Sequence, residues 1–586
     1  MKQTLSKWLP MAYICCMAAV MMGYAQYGPY QIDGDAVSYT DIAEAMVRGR
    51  WREVVNGLWN PGYPAVLALG KVLIHPNRMR ELQLFYWVNY CIFLVSIVCT
   101  WFFVGSVLRV RAACVSADDT WGLPDHLLYV VSYAAVFLSW QHEFSLGRIQ
   151  VDALFATLLL LAFAFLLRSI FTPRPAFNLA FGFCLGLAYL VKSPGFVIAI
   201  VTFVLLAIYA AVTGHVRDCR WRLLVSAVIF ILVAGPYITA LSIQKGRVDF
   251  GDSARLNYAW LVGGTAPQHL LNNQPARFDN ATVHLKHSEI EILQHPVVVY
   301  FPHFPHATYG PWFDPSYFND GIRPRVDLGR QWRLTIQQSR HLMLFLLIHA
   351  LPIAFLVFCM VCGAKVTSVH AARWILWLLY AVMLFSFAMY LAVHFLDRYV
   401  GAQFWIVWIA TAGLLVANQP MRKHLIQGAA AFLAIAVLFA GLQSVAQYRQ
   451  AVILNGLGHG WYNPAEFQTA GALRADGIAP GDAVACFRAC NHGSYWAYLA
   501  GLHVNSEVYD PTLMPDAGSS NEIWSKLPNK QQVLEALQSI GARALVGYFE
   551  DTPPDGEKWR PLAGGYYMIP LPVKRAPSPP LKPHGK

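Results

Sequence analysis

The chain has 586 residues, 56% of them hydrophobic and only 13% charged, with a mean hydropathy of +0.41. A soluble globular chain carries about 25% charged residues, so this composition excludes one and points to an integral membrane protein. The net charge of +11 comes with no basic patch interleaved with aromatics. It is read as the basic bias of cytoplasmic loops and not as a nucleic-acid surface.

Apolar runs of about 17–25 residues mark membrane spans. They fall near 8–28, 82–108, 126–140, 150–168, 176–192, 195–213, 223–243, 340–362, 374–393, 401–418 and 425–444, and so predict about eleven. Basic residues occupy every second short loop: Lys2 and Lys7, Arg109 and Arg111, Arg168 and Arg174, His215 to Arg222, Lys365 and Arg373, then Arg422 and Lys423. That alternation predicts a cytoplasmic N-terminus. The first run is read as a span and not as a cleaved signal peptide, although Gly23-Tyr24-Ala25 loosely fits a cleavage site. The external face then receives 29–81, the turns 141–149 and 394–400, the loop 244–339 and everything after 445.

The predicted fold class is an α-helical polytopic membrane protein with a small C-terminal α/β domain. The expected domains are a transmembrane domain over 1–445 with external loops 29–81 and 244–339, an α/β domain over 446–570, and a disordered, basic, Pro-rich tail over 571–586. In the α/β domain, Ala465–Gly477 and Val533–Gly541 carry helical spacing. Ala483–Phe487 and Ala544–Tyr548 read as short buried strands. The loop 244–339 is rich in His, Pro, Tyr and Trp, too apolar for a linker. Tyr495-Trp496-Ala497-Tyr498 could be a sugar platform but reads more simply as a buried helix. Most of the eleven cysteines (Cys15, Cys16, Cys91, Cys99, Cys184, Cys359, Cys362) lie in apolar runs, where Cys acts as a small hydrophobe. Cys486 and Cys490 sit in a polar region and could be bonded or free.

Two carboxylates, Asp33 and Asp35, follow the first apolar run. Carboxylates at a membrane are costly to desolvate and mark functional sites. Asp35 opens a segment whose apolar positions, Val37, Ile42, Ala43, Met46 and Val47, fit an interfacial amphipathic helix. As a plain helix cap Asp35 would leave Asp33 unexplained, as well as the nearby Trp59-Asn60-Pro61-Gly62-Tyr63-Pro64. The other external turns add Arg148 and Asp152, Lys192, and Asp397-Arg398-Tyr399. Each has a bland reading: Lys192 snorkelling, Asp152 capping, Asp397 and Arg398 pairing. Together they describe one face with carboxylates in one loop and cations at several helix ends, suited to an anionic phosphate group.

Five elements in order resemble the GT-C superfamily of membrane glycosyltransferases, in the bacterial style of protein O-mannosyltransferases and lipid A aminoarabinose transferase. Asp33-Gly34-Asp35-Ala36-Val37-Ser38-Tyr39 resembles its first-loop acidic motif, and Trp59–Pro64 its W-x-P-x-Y-P element. Arg148–Leu154 resembles the start of a later span, Gly186–Gly195 the G-L-A-x-L-x-K-x-x-G element, and Arg398-Tyr399 a late R-Y element. Gly34 stands where many relatives carry Glu, and Val151 where they carry Pro. The resemblance covers about residues 8–420.

It implies transfer of a sugar from a polyprenyl-phosphate donor to a lipid, glycan or protein acceptor on the extracytoplasmic face of a bacterial inner membrane, with inversion. Asp35 is expected as base or metal ligand, with Asp33 supporting. Lys192 and Arg398 are expected on the phosphate, and Tyr63, Asp152, Arg148 and Tyr39 as lesser substrate contacts. No cofactor is required by the sequence, although Mg2+ or Mn2+ would suit two carboxylates. The competing readings are a transporter or flippase of lipid-linked saccharides, for which no internal repeat is visible, and a non-catalytic scaffold.

Overall fold

The computed structural model describes residues 2–27, 32–114, 122–172, 174–214, 216–265, 285–287, 289–366, 370–417, 421–455, 464–488, 493–509, 519–554 and 558–572. Among these, seven helices are long and apolar enough to cross a membrane. They are Trp8–Gln26, Arg78–Cys114, Asp152–Phe171, Pro194–Val212, Cys219–Lys245, Ala371–Val393 and Arg422–Arg449. An eighth span is added if Leu328–Ile348 and Ala350–Val361, which meet at 64°, count as one. The chain is thus a multi-pass, mostly helical membrane protein.

The remaining three of the eleven expected runs form shorter or more polar helices. The runs at 126–140 and 176–192 form helices of 15 and 17 residues. At ~1.5 Å per residue the second reaches ~25 Å, the lower limit for a span, and the first continues through the π-helical turn Trp140–Phe144. The run at 401–418 forms Asp397–Leu414, which opens on two charged residues and is buried along most of its length.

A lipid-facing helix shows how such a segment divides its surface. Pro194–Val212 buries Ile198, Ala199, Thr202, Leu206 and Ala210 and exposes Val204, Ile208 and Val212. Both sets recur at helical spacing, so one stripe packs on protein and the other has only lipid to meet.

The chain separates into two compact units. The first holds Met1–Ile32, Ile42–Gly263 and Arg323–Tyr462, and its interior carries ionisable pairs. Glu143 and His349 are both buried, with Glu143 Oε1 2.7 Å from His349 Nε2. The Ser139 hydroxyl donates to Glu143 Oε2 at 2.6 Å. His349 is the residue at which the bent helix pair breaks. A second cluster joins Lys71 to Glu44 and, at 3.1 Å, to Glu81. Burial pushes the Glu44 carboxyl up, but the Lys71 charge and hydrogen bonds from Lys71 and Arg48 outweigh it and bring the pKa to about 2.

The second unit holds Asp33–Asp41, Gly264–Ile322 and Asn463–Lys586. Its seven strands are β1 (Ile290–Gln294), β2 (Val297–Tyr300), β3 (Ala483–Phe487), β4 (His503–Tyr509), β5 (Ala544–Tyr548), β6 (Arg560–Pro561) and β7 (Tyr566–Pro570), in the order β1-β2-β4-β3-β5-β7-β6. The central β4-β3-β5 pairings are parallel and the flanking ones antiparallel. Helices Tyr495–Ala500, Ser520–Lys526 and Lys530–Ser539 lie between the parallel strands in sequence, as crossovers require.

The expected α/β texture is present: Pro464–Ala475 and Lys530–Ser539 are helices, and both expected strands form. The long loop also contributes to the sheet, through β1 and β2. Val298 from β2 enters the same core as Phe487, Val508, Trp524, Leu537 and Leu545. Tyr495–Ala500 is a fully buried helix, so its aromatics are core. Cys486 is disulfide-bonded, while Cys490 and the tail from 573 lie outside the described residues.

Two outcomes test the buried charges of the first unit. Glu44 is more acidic in the fold than its ordinary 4.5. Its contribution, on the order of 2 kcal/mol, is therefore complete above pH 4.5 and lost as pH falls towards 2. Glu44→Gln should lower the unfolding temperature at pH 7 and flatten its decline over that acid window, as followed by circular dichroism in detergent. Glu143→Ala leaves the buried His349 imidazole without its carboxyl partner and should cost ~1–3 kcal/mol, measured by chemical unfolding against the wild type.

Candidate active site

The acidic segment belongs to the second unit, and the structure gives its two carboxylates different work. Asp33 lies just outside the helix Gly34–Val47. Its Oδ1 accepts from the Ala36 N–H at 3.0 Å, and its carbonyl takes the first helical bond, from the Val37 N–H. That is N-cap geometry, so the cap is Asp33 and not Asp35. Asp33 is exposed. Asp35 stands in the first turn, half-buried, and its Oδ1 accepts from the indole Nε1–H of Trp312 at 2.9 Å. The positive end of the helix favours a carboxylate there.

Two more residues of the same helix clamp it to the long loop. The Ser38 hydroxyl donates to the Trp312 carbonyl at 2.9 Å. Asp41, buried, accepts twice from Thr308: from its N–H at 2.7 Å and its hydroxyl at 2.9 Å. The loop is tied in turn to β4. The Val504 N–H donates to the Thr308 carbonyl at 2.8 Å, and His503 Nδ1 donates to the Ala307 carbonyl at 2.6 Å. Sequence reasoning assigned no role to Asp41, Thr308 or Trp312. A signal existed for the helix side, since Asp35, Ser38 and Asp41 recur every three residues and share one broad face. Nothing local announced Thr308 or Trp312. Tyr39 is buried and so contributes to packing.

The cationic residues belong to the first unit, and there the structure brings Lys192 and Arg398 together with Asp152 and Tyr399. Lys192 ends the helix Pro175–Val191 in extended conformation, and Pro194 starts the next. Lys192 Nζ donates to Asp152 Oδ1 at 2.5 Å and lies 3.6 Å from the centre of the Tyr399 ring. Asp152 opens the helix Asp152–Phe171 and is 3% exposed. Its other oxygen lies 3.6 Å from Arg398 Nε. Arg398 also donates to Gln150 Oε1, a partner the sequence did not single out. Helix dipoles support this layout: Asp152 sits at a helix N-terminus and Lys192 at a C-terminus.

The motif glycines allow the close approaches that hold this turn. A Cβ on Gly62 would stand 2.7 Å from the Leu190 carbonyl oxygen, and one on Gly195 would stand 2.7 Å from the Tyr189 nitrogen. Asn60 Nδ2 donates to the Tyr189 carbonyl at 2.8 Å. Tyr63 is fully buried, and its hydroxyl donates to Asn89 Oδ1 at 2.9 Å. Asn89 Nδ2 donates to the carbonyls of Leu146 and Arg148. Tyr63 therefore positions the turn that carries Arg148, from inside the core, while the Arg148 side chain is half-buried.

Beside Lys192 lies a cavity of about 140 Å³, lined among others by Phe250, Met389, Tyr390, His394 and Tyr399. Its near wall is the start of the long loop. That segment is held by Arg247, which pairs with Asp249 and Asp252 at 2.7 and 2.6 Å, and by Arg255, which pairs with Asp252 at 2.9 Å. Burial, then the charges of Arg398, His341 and Lys192, keep the His394 imidazole below its ordinary pKa and so neutral at pH 7. The cavity is a largely apolar slot with an ammonium at its edge. Among the described residues no group of three or more His, Cys, Asp or Glu forms a metal-ligand set.

No family model matches the chain, and no curated protein sequence does. Among solved structures, the chain is similar to ArnT from Cupriavidus metallidurans bound to undecaprenyl phosphate, at 12% identity and a TM-score of 0.41, over 96% of this chain and 98% of that one. It is similar to the apo state of the same protein at 13% identity and a TM-score of 0.39, over 95% and 97%. It is also similar to the archaeal oligosaccharyltransferase AglB from Archaeoglobus fulgidus, in complex with an inhibitory peptide and a dolichol-phosphate. There the identity is 9% and the TM-score 0.39, over 93% of this chain and 70% of that one.

Proposed function

We propose that the protein is a glycosyltransferase that moves a sugar from a polyprenyl-phosphate donor to an acceptor on the extracytoplasmic face of the inner membrane. The observation that carries this reading is the Lys192 cluster. A cation held by a buried carboxylate, facing an aromatic ring and bordering an apolar cavity, suits an anion that ends in a hydrocarbon chain. Lys192 and Arg398 hold the donor phosphate in this reading, and Asp152 is their counter-ion and not a substrate contact. With phosphate bound the pair becomes a triad, which offsets the cost of keeping an ammonium out of water.

The chemistry asks for a base as well. The acceptor oxygen attacks the anomeric carbon, the bond from that carbon to the phosphate oxygen breaks, and the acceptor proton must leave. Asp35 takes that proton. The Trp312 indole holds one of its oxygens and fixes the carboxylate plane. Asp33 supports it by capping the helix that presents it. A single displacement inverts the anomeric centre, by the logic that separates inverting from retaining glycoside hydrolysis. The departing phosphate is stabilised by fixed cations that need no reorganisation as its charge develops. A divalent ion such as Mg2+ or Mn2+ keeps most of its waters and needs only one or two carboxylates. Asp35 would hold it, with Asp33 supporting by its cap, and it would supply positive charge.

Reconstituted transfer in liposomes separates the roles. Asp35→Asn should lower the turnover number by ~100-fold or more, with the protein still folded and inserted. Asp33→Ser keeps a capping side chain and should stay within a few-fold of wild type. Equal losses in the two variants would remove Asp35 as the base. Lys192→Ala should weaken donor binding and turnover together, and Lys192→Arg should restore part of both, because the charge is kept while the geometry changes. If donor bound by Lys192→Ala matched wild type, the phosphate would lie elsewhere. Donor that crossed the bilayer uncleaved, with no sugar transferred, would favour a flippase.

A further inference from the structure

A second cavity, of about 290 Å³, lies in the first unit at the opposite ends of the helices that carry Asp152 and Lys192. Its lining includes Ser169 and Phe171 from the end of Asp152–Phe171, and Asn178 and Phe181 from the start of Pro175–Val191. Asn178 and Lys192 are about fourteen residues apart on one helix, which is ~20 Å. The two cavities cannot share one phosphate.

The chemistry at this end is that of a lipid headgroup boundary. Arg222 lines the cavity, and its NH1 donates to the Ser169 carbonyl at 2.9 Å. A guanidinium has five N–H donors, so one bond to a carbonyl leaves capacity for an anion. The helix Val216–Lys245 exposes Trp221, Leu224, Val228 and Ile231, spaced three and four residues apart, as a stripe that meets lipid. Trp221 stands at the start of that stripe with the exposed Arg220 guanidinium 5.8 Å from its ring. A Trp beside Arg at the end of an apolar helix is the usual anchor at headgroup depth. The cavity behind it is walled largely by apolar side chains such as Phe181 and Leu206, with Cys219 also on its lining. Its volume equals on the order of ten waters, enough for part of one chain and too little for a whole lipid.

We propose that this cavity takes an acyl chain of an anionic diacyl phospholipid whose phosphate is held by Arg222. The site is separate from the donor site and does not depend on the glycosyltransfer reading.

Cys219 reports on occupancy without any substitution. The full chain in zwitterionic detergent–lipid micelles would be treated with a maleimide, and modification at Cys219 followed by peptide mapping. Phosphatidylglycerol should slow that modification several-fold, whereas phosphatidylcholine should not. Arg222→Gln should abolish the difference between the two lipids. Leu206→Trp, which fills the slot and keeps the arginine, should lower the number of phosphatidylglycerol molecules retained in native mass spectrometry. Equal protection by both lipids would overturn the proposal. So would protection by polyprenyl phosphate alone, or unchanged retention in a folded Leu206→Trp protein.

Discussion

A carboxylate buried at the start of a membrane helix must be paired, and Asp152 is the residue on which the cationic half of this protein is organised. At 3% exposure it tolerates no loss of partner: removing one member of such a pair costs ~3–5 kcal/mol. Its two oxygens reach Lys192 and Arg398, from two further helices. That demand explains several features at once. Lys192 must leave its helix in extended conformation, Gly62 and Gly195 must lack side chains where the backbones meet, and Tyr63 and Asn89 must hold the Leu146–Arg148 turn from below. The bland readings of Lys192 as snorkelling and Asp152 as a cap fail because the two groups meet each other at 2.5 Å.

The acidic segment obeys a different constraint. Its helix starts in one unit of the fold and ends in the other, and polar bonds fix its first turns to the long loop. The division of labour between Asp33 and Asp35 follows from one residue of offset. Asp33 precedes the helix and spends an oxygen on the Ala36 N–H. Asp35 is inside the helix and meets an indole. Gly34 carries no side chain, so Asp35 is the one carboxylate in the helix's first turn. The two aspartates thus differ physically, as an exposed cap and a half-buried acceptor.

The fold class was legible because hydropathy and length report directly on bilayer thickness. The count of spans was less so, because apolar runs of 15–17 residues sit at the lower limit of what crosses a bilayer. In the C-terminal segment, β3 and β5 and the helix Lys530–Ser539 could be read from local pattern. The strands β1 and β2 could not, since the loop that carries them reads as irregular and β2 pairs with β4, more than two hundred residues on. The site residues divide the same way. Asp35, Lys192 and Arg398 stand out because charge is expensive near lipid. Asp41, Thr308 and Gln150 do not, because their meaning lies in a partner distant in sequence. Tyr63 stands out by its motif position, while its link through Asn89 to the Arg148 turn lies in partners distant in sequence.

On the proposed reading, Lys192 and Arg398 stabilise a lipid phosphate as it leaves a sugar, so the donor is cleaved and not moved intact. The most direct measurement uses the purified wild-type protein in liposomes, with labelled polyprenyl-phosphate sugar and an acceptor fraction from its own cell envelope. Both products would be quantified by mass spectrometry. The account predicts free polyprenyl phosphate and glycosylated acceptor appearing one for one, with the anomeric configuration inverted. Intact donor recovered in full from both leaflets, with no acceptor modified, would contradict it.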